Sequence, residues 1–337
     1  MTIVFMEYYD INKNCIKKAQ SLVSILLAVY KPNESWFIEQ LISLNNQNYS
    51  NLKLYIYDDC PECPVNEELF KKYITKFKYT LIRGEKNKGS NKAFEELTKI
   101  AEGDYFAYCD QDDIWEENKI CVLVEKFKDE DIKLVVCDLS IINENGEITA
   151  KSIRDVRKRI IYKRGYNLAE SILTSNFITG CAMMVRSEIA KVAVPFEENL
   201  IHDQWIGTVA ALNGKIDYVD DCLIRYRQHE SNQTGTLKGV YEKESYYKLR
   251  IIEFLEKYKS LKDRLGEYEE LKEYFDYNII SLEARKGYFL KPNFKDLKTM
   301  LKYSKYYKPF ILLEVFIKII PEFMFKFIIG LGQKGIL

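Results

Sequence analysis

Residues 105–113 read YFAYCDQDD, and this stretch decides the fold. Its first five residues have the length and apolar character of a buried strand, and three carboxylates follow within four residues. Upstream, LVSILLAV at 22–29 and LKLYIY at 52–57 are two further strand-like runs, and Asp58-Asp59 follows the second. Ligands of open α/β sheets bind beyond the carboxyl ends of strands, so both acidic turns are predicted to lie at one ligand-binding edge.

Segments with the apolar spacing of helices separate these strands. Helices are predicted at 35–46, 66–77 and 91–101, and a further strand at 79–82. Strands that alternate with helices imply right-handed crossovers and a mostly parallel sheet with helices on both faces. The sequence therefore predicts an α/β fold.

After about residue 130 the pattern changes. Short strands are predicted at 134–136, 180–185, 216–219 and 223–226, with a hairpin turn at Asn145-Gly146. From about residue 236 the chain reads as helix, with prolines as breakers. These patterns divide the chain into an N-terminal extension at 1–20, a sheet domain at 21–235 and a helical C-terminal region at 236–337. The sheet domain is expected to have two halves, at about 21–130 and 131–235.

Composition narrows the classes of function. The 337 residues carry 50 basic and 50 acidic side chains, so there is no overall basic field and we expect no nucleic-acid partner. Eight scattered cysteines and no leader-like start favour a reducing cytoplasm. The CxxC at Cys60 and Cys63 has no second pair, so it gives little support to a zinc site.

The acidic loop Asp110-Gln111-Asp112-Asp113 allows two interpretations. Clustered carboxylates repel one another unless a cation or donor groups lie between them, and their oxygens suit Mg²⁺ or Mn²⁺ shared with phosphates. The alternative is an acidic turn in which Asp113 caps the next helix. In the same way, a carboxylate at Asp58-Asp59 could accept the N3–H of uracil or thymine, or could simply form a turn.

Six segments resemble the inverting, nucleotide-sugar-dependent glycosyltransferases of family two, which have the GT-A fold. They lie within residues 22–232 and read VSILLAVYKPNESWFIEQLISLNNQNY, LYIYDDC, NKGSNKAFEELTKIAEGDYFAYCDQDDIW, ITGCAMMV, HDQWIG and YRQHESN. The combination of DQDDIW with HDQWIG and YRQH is similar to the subgroup that transfers rhamnose from dTDP-rhamnose to surface polysaccharides. Cys60-Pro61 departs from the small Gly-Ser turn that the family usually has there.

The resemblance implies roles for the matched positions. Asp203 would be the catalytic base, although a helix cap would explain it too, and Asp112 and His229 would ligate a divalent cation, Mn²⁺ or Mg²⁺. The residues that would contact the donor, with Asp58 at the base and Asp110 at the ribose, are Ala28, Tyr30, Glu34, Asp58, Asn87, Gly89, Lys92, Asp110 and Gln111. The residues that would lie on the acceptor side are Gly180, His202, Gln204, Trp205 and Arg227. Trp205 could stack on a sugar or pack a site wall.

The resemblance also implies a nucleotide-sugar donor and a glycan or lipid-linked acceptor. The two halves of the sheet domain would then bind the donor and the acceptor. Another UDP-sugar-dependent hexosyltransferase is an alternative, and a non-catalytic sugar-nucleotide or glycan-binding module is an alternative from a different class. A nucleotidyltransferase would have a Gly-rich loop with a basic residue after the first strand, and this chain has none.

The tail has its own pattern. Residues 285–308 contain eight basic residues and one acid, and residues 310–331 are apolar except for a charge every four residues, beginning at Glu314. We expect these charges to share one helix face and Pro321 to divide the helix. This pattern predicts an interfacial anchor on the anionic inner leaflet of a bacterial membrane. The alternative is a helix hairpin that packs on the catalytic domain or on a second copy, as a homodimer.

Overall fold

A computed structural model describes residues 20–157, 160–229, 239–306, 308–317 and 319–333. The chain forms two compact units, which are unit 1 at residues 1–229 and unit 2 at residues 230–337. Of the predicted N-terminal extension, only Gln20 lies among the described residues.

Unit 1 is built on one sheet. Its strands, in chain order, are β1 (Val23–Val29), β2 (Leu52–Asp58), β3 (Lys78–Arg83), β4 (Tyr105–Cys109), β5 (Ile114–Trp115), β6 (Ile132–Ile142), β7 (Ile148–Ala150), β8 (Met183–Arg186) and β9 (Lys215–Arg227). They are arranged in the order β3-β2-β1-β4-β8-β6-β9-β5, and β7 pairs with β6.

Helices connect and cover these strands. They are α1 (Glu34–Asn45), α2 (Glu67–Tyr73), α3 (Ser90–Ile100), α4 (Lys119–Lys126), α5 (Ile153–Val156), α6 (Ala169–Thr174), α7 (Ser187–Val192) and α8 (His202–Asn213). Strands β1 to β4 pair in parallel because α1, α2 and α3 return the chain between them. Strand β8 runs antiparallel to β4 and β6, whereas β9 runs parallel to β6. The predicted α/β fold is confirmed, with a sheet that is parallel throughout its first half.

The second half of the sheet has longer strands than the sequence predicts. The two runs expected at 216–219 and 223–226 form the single strand β9. Val219 pairs with Cys137 and Cys222 pairs with Asp138, so Asp220 and Asp221 bulge out of the ladder without ending it. A bulge of this kind keeps two polar residues in water while the strand continues, which periodicity alone does not reveal.

Unit 2 is helical. Its helices are α9 (Lys243–Tyr247), continued by a π-helical turn (Lys248–Ile252), α10 (Glu253–Leu265), α11 (Glu269–Leu290), α12 (Phe294–Lys302), α13 (Lys308–Phe316) and α14 (Glu322–Gln333). One small core gathers Val240, Tyr246, Ile251, Ile317, Phe325 and Ile329. Another gathers Ala284, Met300 and Ile311.

The predicted break at Pro321 is confirmed, but the predicted charged stripe is wrong for Glu314. Its side chain is buried, accepts from Arg285 Nε at 2.8 Å and from the Tyr246 hydroxyl at 2.8 Å, and ties α13 to α11 and α9. A buried carboxylate needs such partners because its desolvation is costly. Arg285 is therefore part of the core rather than of an exposed basic segment, and Lys318 lies outside the described residues. Within the described residues, no helix is both long enough and apolar enough to span a bilayer.

Candidate functional site

The site lies where β1, β2 and β4 end side by side. Tyr30 follows β1 and the acidic loop 110–113 follows β4. Gln111 joins the two ends, because its Oε1 accepts from the Tyr30 amide at 2.8 Å and its Nε2 donates to the Tyr30 carbonyl at 3.1 Å. Gln111 therefore clamps the loop to β1 instead of pointing its amide towards a donor.

The structure brings the two predicted metal ligands together. Asp112 Oδ2 and His229 Nε2 are 2.7 Å apart although 117 positions separate them in the chain. Their side chains are 19% and 12% exposed. The ring of Trp36 lies 5.0 Å from the His229 ring, centroid to centroid. A carboxylate and an imidazole thus meet at the mouth of the acidic loop.

Arg227 holds the acidic loop 110–113 in place. It is fully buried, and its amide donates to Asp113 Oδ1 at 3.0 Å while Nε donates to the Asp112 carbonyl at 2.9 Å. Its terminal nitrogens bond to the Asn143 carbonyl and to the Glu39 carboxylate. Arg227 was predicted to lie on the acceptor side, but its buried side chain has no exposed nitrogen that could contact an acceptor. Its hydrogen bonds instead frame the loop, which means that they hold the loop backbone in position.

We expect Arg227→Met to cost about 2–4 kcal/mol of stability, because the Asp112 and Asn143 carbonyls lose their donor and each buried acceptor left unsatisfied costs about 1–3 kcal/mol. Arg225→Met, two residues away on the same strand, is the matched control. The Arg225–Glu116 pair is partly exposed to water, so the control is expected to cost only about 1 kcal/mol. Urea denaturation of both full-length variants measures the difference. Equal losses would show that Arg227 does not frame the loop.

The loop continues inwards as an acidic cluster, in which Asp113 and Cys181 are buried and Asp110 is half-buried. The nearest oxygens of Asp110 and Asp113 and the Cys181 sulfur all lie within 4.8 Å of one another. Burial, with the charge of Asp112 next, raises the pKa of Asp110 to about 7, and burial raises that of Asp113 well above its usual value. Asp113 Oδ2 is buried and has no hydrogen-bond partner among the described residues. Because Asp113 precedes β5 and not a helix, it does not act as the helix cap considered above.

These donors fit a divalent cation. Asp112 and His229 offer an oxygen and a nitrogen at the loop mouth, a mixed set that suits Mn²⁺ better than Mg²⁺. Asp113 adds Oδ2, a buried oxygen that has no hydrogen-bond partner among the described residues. Behind them, Lys119 is fully buried and donates to the Cys181 carbonyl at 2.6 Å, and burial lowers its pKa to about 8. The positive charge of Lys119 opposes part of the rise in the pKa of Asp110.

Asp203 faces the same cluster from α8. It accepts from Asn176 Nδ2 and from the Gly180 amide, each at 3.0 Å, and is only 7% exposed. Burial raises its pKa to about 7. The N-cap of α8 is Ile201, so Asp203 does not fill the capping role that the sequence allowed. It is a carboxylate oriented by two donors and poised to exchange a proton near neutral pH.

His202 and Gly180 pack against each other beside Asp203. The His202 ring lies 4.3 Å from the Phe94 ring, centroid to centroid, and burial lowers its pKa to about 3, which keeps it neutral. A Cβ at Gly180 would stand 2.5 Å from His202 Nε2. Only glycine therefore lets the Gly180 amide approach Asp203 at this position.

The other two acceptor-side candidates are used in packing. Trp205 is 2% exposed and donates to the Ala193 carbonyl at 2.7 Å, and Gln204 donates to the Ile172 carbonyl at 2.9 Å. Both contacts hold α8 against its neighbours. For Trp205 this is the wall-packing alternative rather than a stacking platform.

Asp58, predicted to hold the base, is enclosed by protein donors. It accepts from the Val65 amide at 2.8 Å and the Cys60 amide at 3.2 Å, and it pairs with Arg83. These contacts fix the loop that carries Cys60-Pro61, where the chain departs from the family pattern. These protein contacts explain the position of the Asp58 carboxylate without a ligand. They therefore weaken its assignment as the residue that binds the nucleotide base.

The 87–92 segment is fixed by Asp59, which the sequence singled out only as part of the acidic pair. Its two oxygens accept from the Lys88 amide at 2.8 Å and the Gly89 amide at 2.7 Å. Gly89 has φ +80° and is the N-cap residue of α3, and Asn87 Oδ1 also accepts from its amide. Lys92 pairs with Glu95 at 3.2 Å. Asn87, Lys88 and Gly89 thus form one turn that Asp59 holds beside the end of β2.

The remaining donor-side candidates line the same edge. Tyr30 is exposed, Ala28 is half-buried on β1, and Glu34 begins α1. Sequence reasoning missed Asn176, Lys119 and the framing role of Arg227. Only Arg227 lay in a quoted motif, and neither Asn176 nor Lys119 has a local pattern that reveals its partner.

Comparisons with known proteins agree with this architecture. The family model described as Glycosyl transferase family 2 matches residues 24–192. The crystal structure of S. aureus TarS 1-349 in complex with UDP-GlcNAc superposes with TM-score 0.56 at 16% identity, covering 84% of this chain and 79% of that one. This likeness confirms the GT-A-like fold.

Two curated relatives are similar over part of the chain. Uncharacterized protein y4gI of Sinorhizobium fredii is 27% identical over 127 residues, 37% of this chain and 14% of that protein. The Escherichia coli UDP-Glc:alpha-D-GlcNAc-diphosphoundecaprenol beta-1,3-glucosyltransferase WfgD is 26% identical over 187 residues, 55% of this chain and 68% of that protein. The chain thus spans a small fraction of the first relative and about two thirds of the second.

Proposed function

The chain belongs to glycosyl transferase family 2, and on this premise we propose that it is an inverting, metal-dependent glycosyltransferase of bacterial envelope glycan synthesis. One observation carries the proposal. Asp203 accepts from the Gly180 amide at 3.0 Å, and the sulfur of the next residue, Cys181, lies within 4.8 Å of Asp110 and Asp113, so the proposed base lies close to the loop that presents Asp112 and His229. A base and a diphosphate-binding loop in one cleft are what a displacement on a nucleotide sugar requires.

In the proposed reaction, Asp203 accepts the proton of an acceptor hydroxyl. That oxygen attacks the anomeric carbon of the donor sugar from the face opposite the diphosphate. The new C–O bond forms as the bond from the anomeric carbon to the phosphate oxygen breaks, so the configuration inverts and a nucleoside diphosphate leaves. Asn176 and the Gly180 amide hold the carboxylate in place throughout.

Asp112 and His229 are the residues that would hold the divalent cation, with Mn²⁺ favoured by the imidazole ligand. When bound, the cation offsets the negative charge of the leaving diphosphate. Gln111 and Arg227 keep the loop backbone in position for it. The exposed Tyr30 and the turn 87–92 flank the space for base and ribose, with Asp110 nearest the ribose.

For the donor, we propose dTDP-rhamnose on the strength of the DQDDIW, HDQWIG and YRQH motifs. A UDP-hexose is the second candidate, supported by the relative whose name specifies UDP-Glc and a diphosphoundecaprenol-linked acceptor. That name also supports a lipid-linked glycan acceptor here. With such an acceptor, the enzyme would work at the inner face of the bacterial membrane, with residues 21–130 binding the donor and 131–235 the acceptor.

A transfer assay tests this function. The full chain, Mn²⁺ and one nucleotide sugar at a time are incubated with lipid-linked glycan extracted from bacterial envelopes, and release of nucleoside diphosphate is measured. We expect release with one nucleotide class only, and only when the acceptor is present. Saturable donor binding with no release for any acceptor would favour the non-catalytic binding module.

A further inference from the structure

Unit 2 exposes large apolar side chains in its last two helices and the turn between them. Each is 45–77% exposed, and together they form the outer apolar cluster, defined as Leu312, Phe316, Ile319, Phe323, Met324 and Phe327. Six such side chains present on the order of several hundred Å² of apolar surface. An exposed apolar surface of that size is typical of an interaction site.

The same helices already fill a core with their other faces. Ile317 and Phe325 are fully buried, whereas Leu312 and Phe316 stand four residues apart on the outside of α13. Phe323 and Phe327 repeat this spacing on α14, and residues four apart share a helix face. Apolar residues on both the inner and the outer face indicate that the outer face has an apolar partner.

Helix α12 adds a basic surface with apolar side chains in it. Phe294, Lys298 and Leu301 stand at i, i+4 and i+7 and are exposed, while Met300 is buried in a core. The exposed lysines of this segment are Lys291, Lys295, Lys298, Lys302 and Lys305. Asp296 is the single acid between residues 286 and 313, and its carboxylate accepts from Asn293 at 2.6 Å.

We propose that unit 2 docks on an anionic lipid surface through the outer apolar cluster and the lysines of α12. An anionic bilayer interface complements both surfaces. Its negative charge attracts the lysines, and its acyl chains can pack against Phe323 and Phe327. Arg285 and Glu314 take no part, because they neutralise each other inside the unit. This inference rests on the proposed function, because docking would serve an enzyme that works at the membrane face. Vesicle binding itself needs neither donor nor acceptor.

Vesicle co-sedimentation of the full chain tests this. We expect binding to vesicles of neutral phosphatidylcholine mixed with anionic phosphatidylglycerol, and about tenfold weaker binding at 0.5 M salt, where the Debye length is only about 4 Å. Lys295→Ser with Lys298→Ser should weaken binding about thirtyfold, since each basic residue near such a surface is worth about 1 kcal/mol. Phe323→Ser with Phe327→Ser should abolish binding. Ile148→Ser with Ile161→Ser, equally exposed in unit 1, is the control and should bind unchanged.

The proposal is overturned if the unaltered chain ignores anionic vesicles at low salt, or binds neutral vesicles equally well. It is also overturned if sedimentation velocity shows a dimer that the phenylalanine variant dissociates, because the cluster then covers a second copy. Melting curves confirm that each variant is folded. If the phenylalanine pair unfolds the chain, the lysine pair on the exposed face of α12 decides the outcome. A transfer assay that fails while vesicle binding succeeds would reject the proposed function alone.

Discussion

Asp203→Asn lowers turnover by about 10²–10⁴-fold while donor affinity stays within about twofold, which is the range expected for removal of a general base. The asparagine keeps the size of the side chain and can still accept from the Gly180 amide, and it gives up only the hydrogen bond from Asn176, so the site should keep its shape. Steady-state release of nucleoside diphosphate and calorimetric donor binding measure the two effects. Near-normal turnover would move the base role to another carboxylate, of which Glu198 is the next to test.

The pH dependence of turnover and of stability distinguishes the loss of a general base from unfolding of the variant. The pKa of Asp203 is about 7 in the folded chain, so turnover of the unaltered enzyme should rise with pH through that value, as the carboxylate loses its proton. The same shift costs stability above the ordinary pKa of 3.8, because the folded state resists ionisation. Asp203→Asn should therefore raise the melting temperature at pH 8, and by less at pH 5.5. A lower melting temperature at pH 8 would contradict this assignment.

We expect Asp112→Ala to abolish transfer. It should also weaken nucleoside diphosphate binding in Mn²⁺ by about 10–100-fold, which is the loss typical of disturbing a metal site. The variant removes one of the two proposed metal ligands at the loop mouth and leaves Arg227 bonded to the Asp112 carbonyl, so the fold should be retained. Calorimetric titration with UDP, dTDP and GDP measures the binding.

Glu117→Ala is the matched control, since its carboxylate is exposed five residues further along the chain. It should bind and transfer normally. His229→Ala should reproduce the losses of Asp112→Ala. If His229→Ala were silent, His229 would be only a hydrogen-bond partner of Asp112, and the pair would not be a metal site.

The sequence predicted the first half of unit 1 well because its elements obey local rules. Strands β1, β2 and β4 are mostly apolar runs, and parallel pairing places their carboxyl ends together, with the acidic turns after β2 and β4. The meeting of Asp112 and His229 was predicted only from the family resemblance. No periodicity joins residues 117 positions apart.

The sequence did not reveal which carboxylates the fold itself uses. Asp58 and Asp59 look alike in the sequence, yet one pairs with Arg83 and the other caps the turn at Gly89. Glu314 fits an exposed stripe by spacing, but Arg285 on another helix provides a buried partner. Such pairings depend on tertiary contacts, which determine whether a charge is exposed or buried.

Cation dependence of nucleotide binding tests the central claim most directly. The full chain is titrated with UDP, dTDP and GDP in Mn²⁺ and again in excess chelator, and Asp112→Ala is titrated in parallel. The account predicts saturable binding of one nucleotide that needs Mn²⁺ and is lost in chelator and in Asp112→Ala. Equal binding in chelator and in Mn²⁺, unaffected by Asp112→Ala, would contradict it.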